Sequence, residues 1–206
     1  MKYLSTFSGI GGFELGIQQA YEYVQRTEGF QQRGLEGDID MPDTRESCLA
    51  PEPLCIGYSE IDKYAASIYQ KHFPNHTNYG DITKINEKEL PDFELLVGGF
   101  PCQSFSIAGK RGGFNDTRGT LFFEIARIIR KKQPRLLLLE NVKGLLSHDK
   151  GKTFATIIST LDELGYDIQW QVLNSKNHGV PQNRERVFIV GHLRGTSRPE
   201  VFPKMS

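Results

Sequence analysis

Short apolar runs alternate with amphipathic stretches along most of the chain, the pattern of a βαβ protein. The runs read as strands: KYLST (2–6), CIGYSE (55–60), FELLVGG (93–99), RLLLLEN (135–141), IQWQVLN (168–174) and RVFIVGH (186–192), with a shorter one near NYGD (78–81). Between them the spacing predicts helices. FELGIQQAYEYV (13–24) follows a glycine loop, and DKYAASIYQKHF (62–73) opens on an aspartate placed to cap it and stops at Pro74. GTLFFEIARIIRKK (119–132) sets Leu121, Phe122, Ile125, Ile128 and Ile129 at helical spacing, and TFATIISTLDELG (153–165) ends on glycine. A strand such as LLLLE is apolar throughout, as a parallel sheet covered on both faces requires. The expected fold class is α/β: a doubly wound, mostly parallel sheet. The segment 28–54, rich in Gly, Pro, Asp and Glu and without periodicity, reads as a surface insertion whose acidity disfavours DNA.

Composition narrows the classes. The 206 residues suffice for one substantial domain, and 38% hydrophobic with 24% charged is ordinary for a globular protein. No window approaches eighteen uninterrupted apolar residues, so no membrane span is expected, and MKYLSTFSGIGG is no signal peptide. A cytoplasmic protein is expected, nucleoid-associated if bacterial or phage. Cys48, Cys55 and Cys102 are odd in number and lack CxxC spacing, so neither a disulfide framework nor a metal site is expected. The five histidines read as surface or loop residues. Net charge is zero, but residues 1–100 hold 8 Lys/Arg against 16 Asp/Glu, and residues 101–206 hold 17 against 9. One region therefore suits a polyanion, although solvated helix surfaces such as RIIRKKQPR (127–135) would give the same bias.

Two segments carry candidate chemistry. In LSTFSGIGGFELG, Gly9, Gly11 and Gly12 follow a strand and precede a helix, where glycine allows close backbone approach and the helix N-terminus offers free N–H groups. The spacing is neither GxGxxG nor a P-loop. Glu60, ending the second strand, fits a ribose-hydroxyl acceptor, and Asp81 an acceptor for an adenine amino group; a cap or turn role is an equal alternative for each alone. In VGGFPCQSFSIAGKRGGF (97–114), a cysteine after a proline lies just past a parallel strand, where such sheets place their active sites.

GGFPCQSFS resembles the catalytic loop of the DNA cytosine-C5 methyltransferases. FSGIGG resembles that family's first cofactor motif, Glu140-Asn141-Val142 its ENV motif and Gln182–Arg186 (QNRER) its QxRxR motif, all in the family's order over about residues 3–193. The resemblance implies a methyltransferase domain over 1–193 and S-adenosylmethionine as methyl donor. It implies double-stranded DNA as partner, with a flipped-out target base. Cytosine C5 is too weak a nucleophile until a thiolate adds to C6; Cys102 is the residue placed to do so. Glu140 would meet N3 and the exocyclic amine, burial raising its pKa, and Asn141 would orient it. Arg184 would contact the cytosine or its phosphate, and Arg186 would brace the site. Against the cofactor the resemblance sets Phe7, Gly9, Gly11, Gly12, Glu60, Ile61, Asp81, Ile82, Pro101 and Leu121, though core packing alone accounts for Leu121. Gln103, Ser104 and Ser106 shape the loop or touch the DNA backbone, Gln182 joins them on the DNA side, and the two cations Lys110 and Arg111 among glycines suit phosphates.

Past HLRGTSRP the tail 194–206 holds nothing that reads a DNA sequence, so the family's target-recognition region is not expected in this chain. Two readings stay open: a catalytic half completed by a second polypeptide, or a truncated remnant acting at most as a binding module. A tRNA cytosine-C5 methyltransferase relative is the rival among enzymes; an NAD-type oxidoreductase fits the glycine loop but not PCQ with ENV.

Overall fold

A computed structural model describes residues 1–33, 51–101, 121–196 and 199–202, the side chains of 28–33 excepted. Six strands, β1 (Lys2–Thr6), β2 (Leu54–Ser59), β3 (Leu95–Gly99), β4 (Leu136–Val142), β5 (Tyr166–Asn174) and β6 (Glu185–Leu193), form one sheet in the order β2-β1-β3-β4-β6-β5. The pairs β1/β2, β1/β3 and β3/β4 are parallel. The chain order reverses between β1 and β3, so a crevice opens beyond their carboxyl ends. The strand expected near 78–81 reduces to a single bridge between Asn78 and Tyr58.

Strand β6 runs antiparallel to both β4 and β5. Only residues 175–184 join β5 to β6. That connection is shorter than the dozen or more residues a parallel crossover needs, so the chain turns back on itself.

Four helices cover the two faces: α1 (Gly12–Arg33), α2 (Lys63–His72), α3 (Leu121–Lys132) and α4 (Lys152–Glu163). One face carries Leu4, Leu96, Leu137, Leu139, Val187 and Ile189 into a large core with α3 and α4. On α3, Phe122, Ile125, Ile128 and Ile129 are buried as their spacing predicts, joined by Phe123 and Ala126. The other face carries Tyr3, Leu95 and Val97 against Phe13 and Ile17 of α1. Alternation along each strand thus divides the sheet into two apolar layers. Helix α2 starts where Asp62 accepts the backbone N–H groups of Tyr64 and Ala65 at 2.9 and 2.8 Å. It stops at Phe73, just before Pro74.

Two expectations need correction. Helix α1 continues to Arg33, so the segment expected to begin an insertion at 28 starts in helix. The absence of apolar periodicity does not stop a helix, because Gln, Glu and Arg are good helix formers on a solvated surface. Of the remainder, 34–50 lie outside the described residues. Second, His192 is not a surface residue: it sits on β6 and is 2% exposed. Cys48 lies outside the described residues; Cys55 has the structural role expected, its half-buried thiol donating to the Gly57 carbonyl at 3.3 Å and pushed by burial up to about 11. Among the described residues no helix is long and apolar enough to cross a membrane.

Candidate active site

The crevice side of the sheet begins with the turn after β1. Phe7 and Gly9 have φ of 52° and 56°, and Gly11 has 95°. The Gly11 N–H donates to the Ser8 carbonyl at 3.0 Å, and the Ser8 N–H to Ser59 at the end of β2 at 3.3 Å. A Cβ on Gly11 would stand 2.6 Å from the Phe73 ring, so glycine serves both the backbone angle and the packing of α2 against the turn. The Gly9 N–H donates to Glu60 Oε2 at 2.9 Å, while Oε1 of the same carboxylate accepts the Asp62 N–H at 2.8 Å. Glu60 therefore ties the β1 turn to the end of β2. It retains lone pairs for a further donor.

Next to it Ile61 is 72% exposed. Asp81 caps a 3-10 turn: Oδ1 accepts the Thr83 N–H at 3.0 Å and its hydroxyl at 2.8 Å, and these bonds hold the carboxyl below its usual range. Ile82, Phe7 and Leu121 all pack with the large core, Ile82 fully and the other two in part, and Gly12 opens α1. Sequence reasoning passed over Asn78, which shapes this rim. Its Oδ1 accepts from Glu60 N and Gly80 N at 3.2 and 2.8 Å, and its Nδ2 donates to the Glu60 carbonyl at 3.0 Å. An Asn two residues before Gly80 is the signal that would have found it.

The other part of the site lies where β3 and β4 end and antiparallel β6 begins. Arg186 Nε meets Glu140 Oε1 at 2.7 Å, both side chains about one-fifth exposed. Glu140 pairs across the strands with Phe188, and Arg186 with Val142, so acid and arginine are diagonal neighbours on one face. Burial raises the Glu140 pKa; Arg186 and, more weakly, Arg184 oppose that rise. Glu140 Oε2 would lie 3.0 Å from a Cβ on Gly99, so glycine at the end of β3 keeps that oxygen uncrowded. Buried Asn141 donates from Nδ2 to the Phe100 carbonyl at 2.8 Å and accepts the Val142 N–H at 2.8 Å. It fixes the end of β4 against the residue before Pro101.

Glu140, Arg184 and Arg186 line a cavity of about 390 Å³ together with Leu173, His178 and Phe188. Gln182 lies in the 175–184 connection, its carbonyl accepting the Ser175 hydroxyl at 2.5 Å. Pro101 is exposed and ends the described part of this loop. Cys102, Gln103, Ser104, Ser106, Lys110 and Arg111 lie outside the described residues. The structure thus brings together Glu140, Arg184 and Arg186 in one place and Gly9 with Glu60 in another, with β3 between their strands in the sheet.

A family model for C-5 cytosine-specific DNA methylases matches residues 1–204. The chain belongs to that family. The type II methyltransferase M1.ScrFI of Lactococcus lactis subsp. cremoris is 47% identical over 94% of this chain and 42% of its own length. The type II methyltransferase M.NgoBV of Neisseria gonorrhoeae is 41% identical over 98% of this chain and 43% of its own. The chain spans less than half the length of these curated relatives. A solved DNMT2 mutant from Spodoptera frugiperda, 22% identical, superposes with a TM-score of 0.64 over 99% of this chain and 53% of that one, and supports the fold. S-adenosylmethionine, the methyl donor of such methylases, fits the residues present. Among the described residues nothing lies within 4 Å of where a Cβ on Gly9 would stand, Glu60 has acceptor capacity for a ribose, and exposed Ile61 offers an apolar face for a base.

Proposed function

We propose that this chain carries the catalytic part of an enzyme that methylates C5 of cytosine in DNA, with Cys102 as nucleophile acting on a flipped-out base. The observation that carries the reading is the Glu140–Arg186 pair: a carboxyl with a raised pKa, one oxygen held by a guanidinium and the other left clear by Gly99. A carboxyl that burial makes hold its proton more tightly than usual can share it with cytosine N3, drawing electron density from C6. The Cys102 thiolate then adds to C6 and C5 gains nucleophilic character. Gly9 and Glu60 would hold S-adenosylmethionine, which would supply the methyl group that C5 takes. Loss of the C5 proton and expulsion of the thiolate restore the aromatic ring.

Arg184 faces the same cavity and contacts the cytidine or its phosphate. Lys110, Arg111, Gln103, Ser104, Ser106 and Gln182 contribute DNA contacts. Target recognition is read as lying outside the residues matched to the relatives, and a second polypeptide is one source of it. A binding remnant and a methylase of tRNA are the outcomes against which this is tested.

The test incubates the chain with S-adenosylmethionine and mixed-sequence DNA containing 5-fluorocytosine, alone and with the protein encoded immediately downstream. A covalent adduct is expected, absent in Cys102→Ser and slowed roughly 10²- to 10⁴-fold in Glu140→Gln. An adduct that needs the second protein identifies a split enzyme. No adduct in either arm favours the remnant, and an adduct with 5-fluorocytosine tRNA alone favours the tRNA enzyme.

A further inference from the structure

We infer that His178 is a further substrate-contact residue, its imidazole donating a hydrogen bond to a phosphate flanking the target cytidine. This rests on the reading that the Glu140 cavity receives that cytidine. His178 lines the same cavity of about 390 Å³ as Glu140, Arg184 and Arg186. The cavity divides by chemistry. Leu173 and Phe188 come from β5 and β6 and suit a flat base or a sugar. His178 and Arg184 come from the 175–184 connection.

Charge decides what that polar side takes. Arg186 is engaged by Glu140 Oε1. Among the described residues neither the Arg184 guanidinium nor the His178 ring has a hydrogen-bond partner, and Arg184 acts on Glu140 only through its charge. Among the described residues that line the cavity, one ion pair, one further guanidinium and one imidazole leave no acid unpaired. Cytosine is neutral; the anionic part of a nucleotide is its phosphate.

The ends of the connection are also pinned, which limits where the exposed His178 side chain can reach. Asn174 Oδ1 accepts the N–H groups of Lys176 and Arg184 at 3.2 and 3.3 Å, and its Nδ2 donates to Asn183 at 2.6 Å. Ser175 N–H donates to the Arg184 carbonyl at 3.1 Å, and the Ser175 hydroxyl to the Gln182 carbonyl at 2.5 Å. Both ends of the segment are thereby closed on each other around His178. A segment held in place before binding loses little backbone freedom when the ligand arrives.

The test uses the full chain and a trinucleotide with one central cytidine, made with ordinary phosphates or with uncharged methylphosphonates on both sides of that cytidine. Dissociation constants are measured for the wild type, His178→Phe and His178→Gln. Removing the phosphate charge should weaken the wild type about tenfold and His178→Phe about threefold or less, Arg184 accounting for what remains. His178→Phe should bind the ordinary trinucleotide more weakly, with His178→Gln, which keeps a donor, close to the wild type. An equal methylphosphonate penalty in wild type and His178→Phe overturns the inference. So does a wild type that binds free deoxycytidine as tightly as the trinucleotide, an outcome that leaves the base cavity standing. If the wild type binds neither ligand, the cavity reading fails and this inference with it.

Discussion

At the end of β2, Glu60 gives both carboxylate oxygens to backbone N–H groups; at the end of β4, Glu140 meets guanidinium groups instead. The first arrangement is a matter of chain path. Glycine angles, a strand end and a helix start bring Gly9 and Asp62 to the acid, so its geometry follows from the backbone. The second depends on side chains reaching diagonally between antiparallel strands, in surroundings that raise the acid's pKa. A cofactor needs a shape that holds; a reacting base needs an acid whose proton is available. Perturbing each end should therefore give different symptoms.

The largest expected effect is at the backbone-built end. Gly11→Ala adds a Cβ against Phe73 at a left-handed φ of 95°. Strain and overpacking together should cost about 2–4 kcal/mol, read as a fall in the denaturation midpoint with an unchanged m-value. Binding of S-adenosylmethionine should weaken in the same variant. A variant as stable as the wild type would show that the turn can shift, and the contrast between the two ends would fail.

The next effect belongs to the side-chain-built end. Arg186→Met leaves Glu140 half-buried without its ion-pair partner, for a loss of about 2 kcal/mol, discounted because both groups are partly exposed. Its sharper symptom is protonation. With the stronger opposing charge gone, the Glu140 pKa should rise further, as followed by carbon-13 NMR of its carboxyl. An unchanged titration would mean that Arg186 does not set the acid's state.

How much of this was legible beforehand differs between the same two ends. The strands were found from their apolar runs, and the glycine turn and Glu60 from their place at strand ends, whereas Glu140 came from the resemblance of Glu140-Asn141-Val142 to the family's ENV motif. What the pattern could not show was register. RVFIVGH reads alike whether β6 runs parallel or antiparallel, yet only the antiparallel pairing sets Arg186 diagonally across from Glu140. The shortness of the connection before it held the answer. Helix α1 was cut short at 24 because polar residues hide a helix whose far turns need no apolar stripe. His192 was assigned to the surface because the histidines are scattered without metal-ligand spacing, and its place in the stretch of β6 buried from Ile189 to His192 puts it inside.

Glu60→Gln is a gentler probe of the backbone-built end. The amide keeps one acceptor but can no longer take both N–H groups with a charge, so about 1 kcal/mol should be lost. Affinity for S-adenosylmethionine should fall about tenfold while the Glu140 titration stays unchanged. A shifted Glu140 would show the two ends to be coupled.

The smallest effect concerns a third carboxyl, which shows why Glu140 needs its arginines. Glu14, in the first turn of α1, is 1% exposed, and its Oε1 accepts the Tyr69 hydroxyl at 2.9 Å, with Tyr69 in turn 2.9 Å from His76 Nδ1. Burial raises its pKa, opposed by hydrogen bonds rather than by a guanidinium. The folded protein therefore holds this proton more tightly than the unfolded chain does. Its contribution to stability is full below the unfolded value, near 4.5, and is lost as pH rises through the higher folded value. Glu14→Gln cannot titrate, so stability measured from pH 4 to 8 should decline less steeply than in the wild type, by roughly 1 kcal/mol over that span. The slope is the test, because a buried amide can change the level on its own account. Parallel slopes would mean that Glu14 ionises in the folded protein as readily as in the unfolded chain. Burial alone would then not explain the Glu140 shift either.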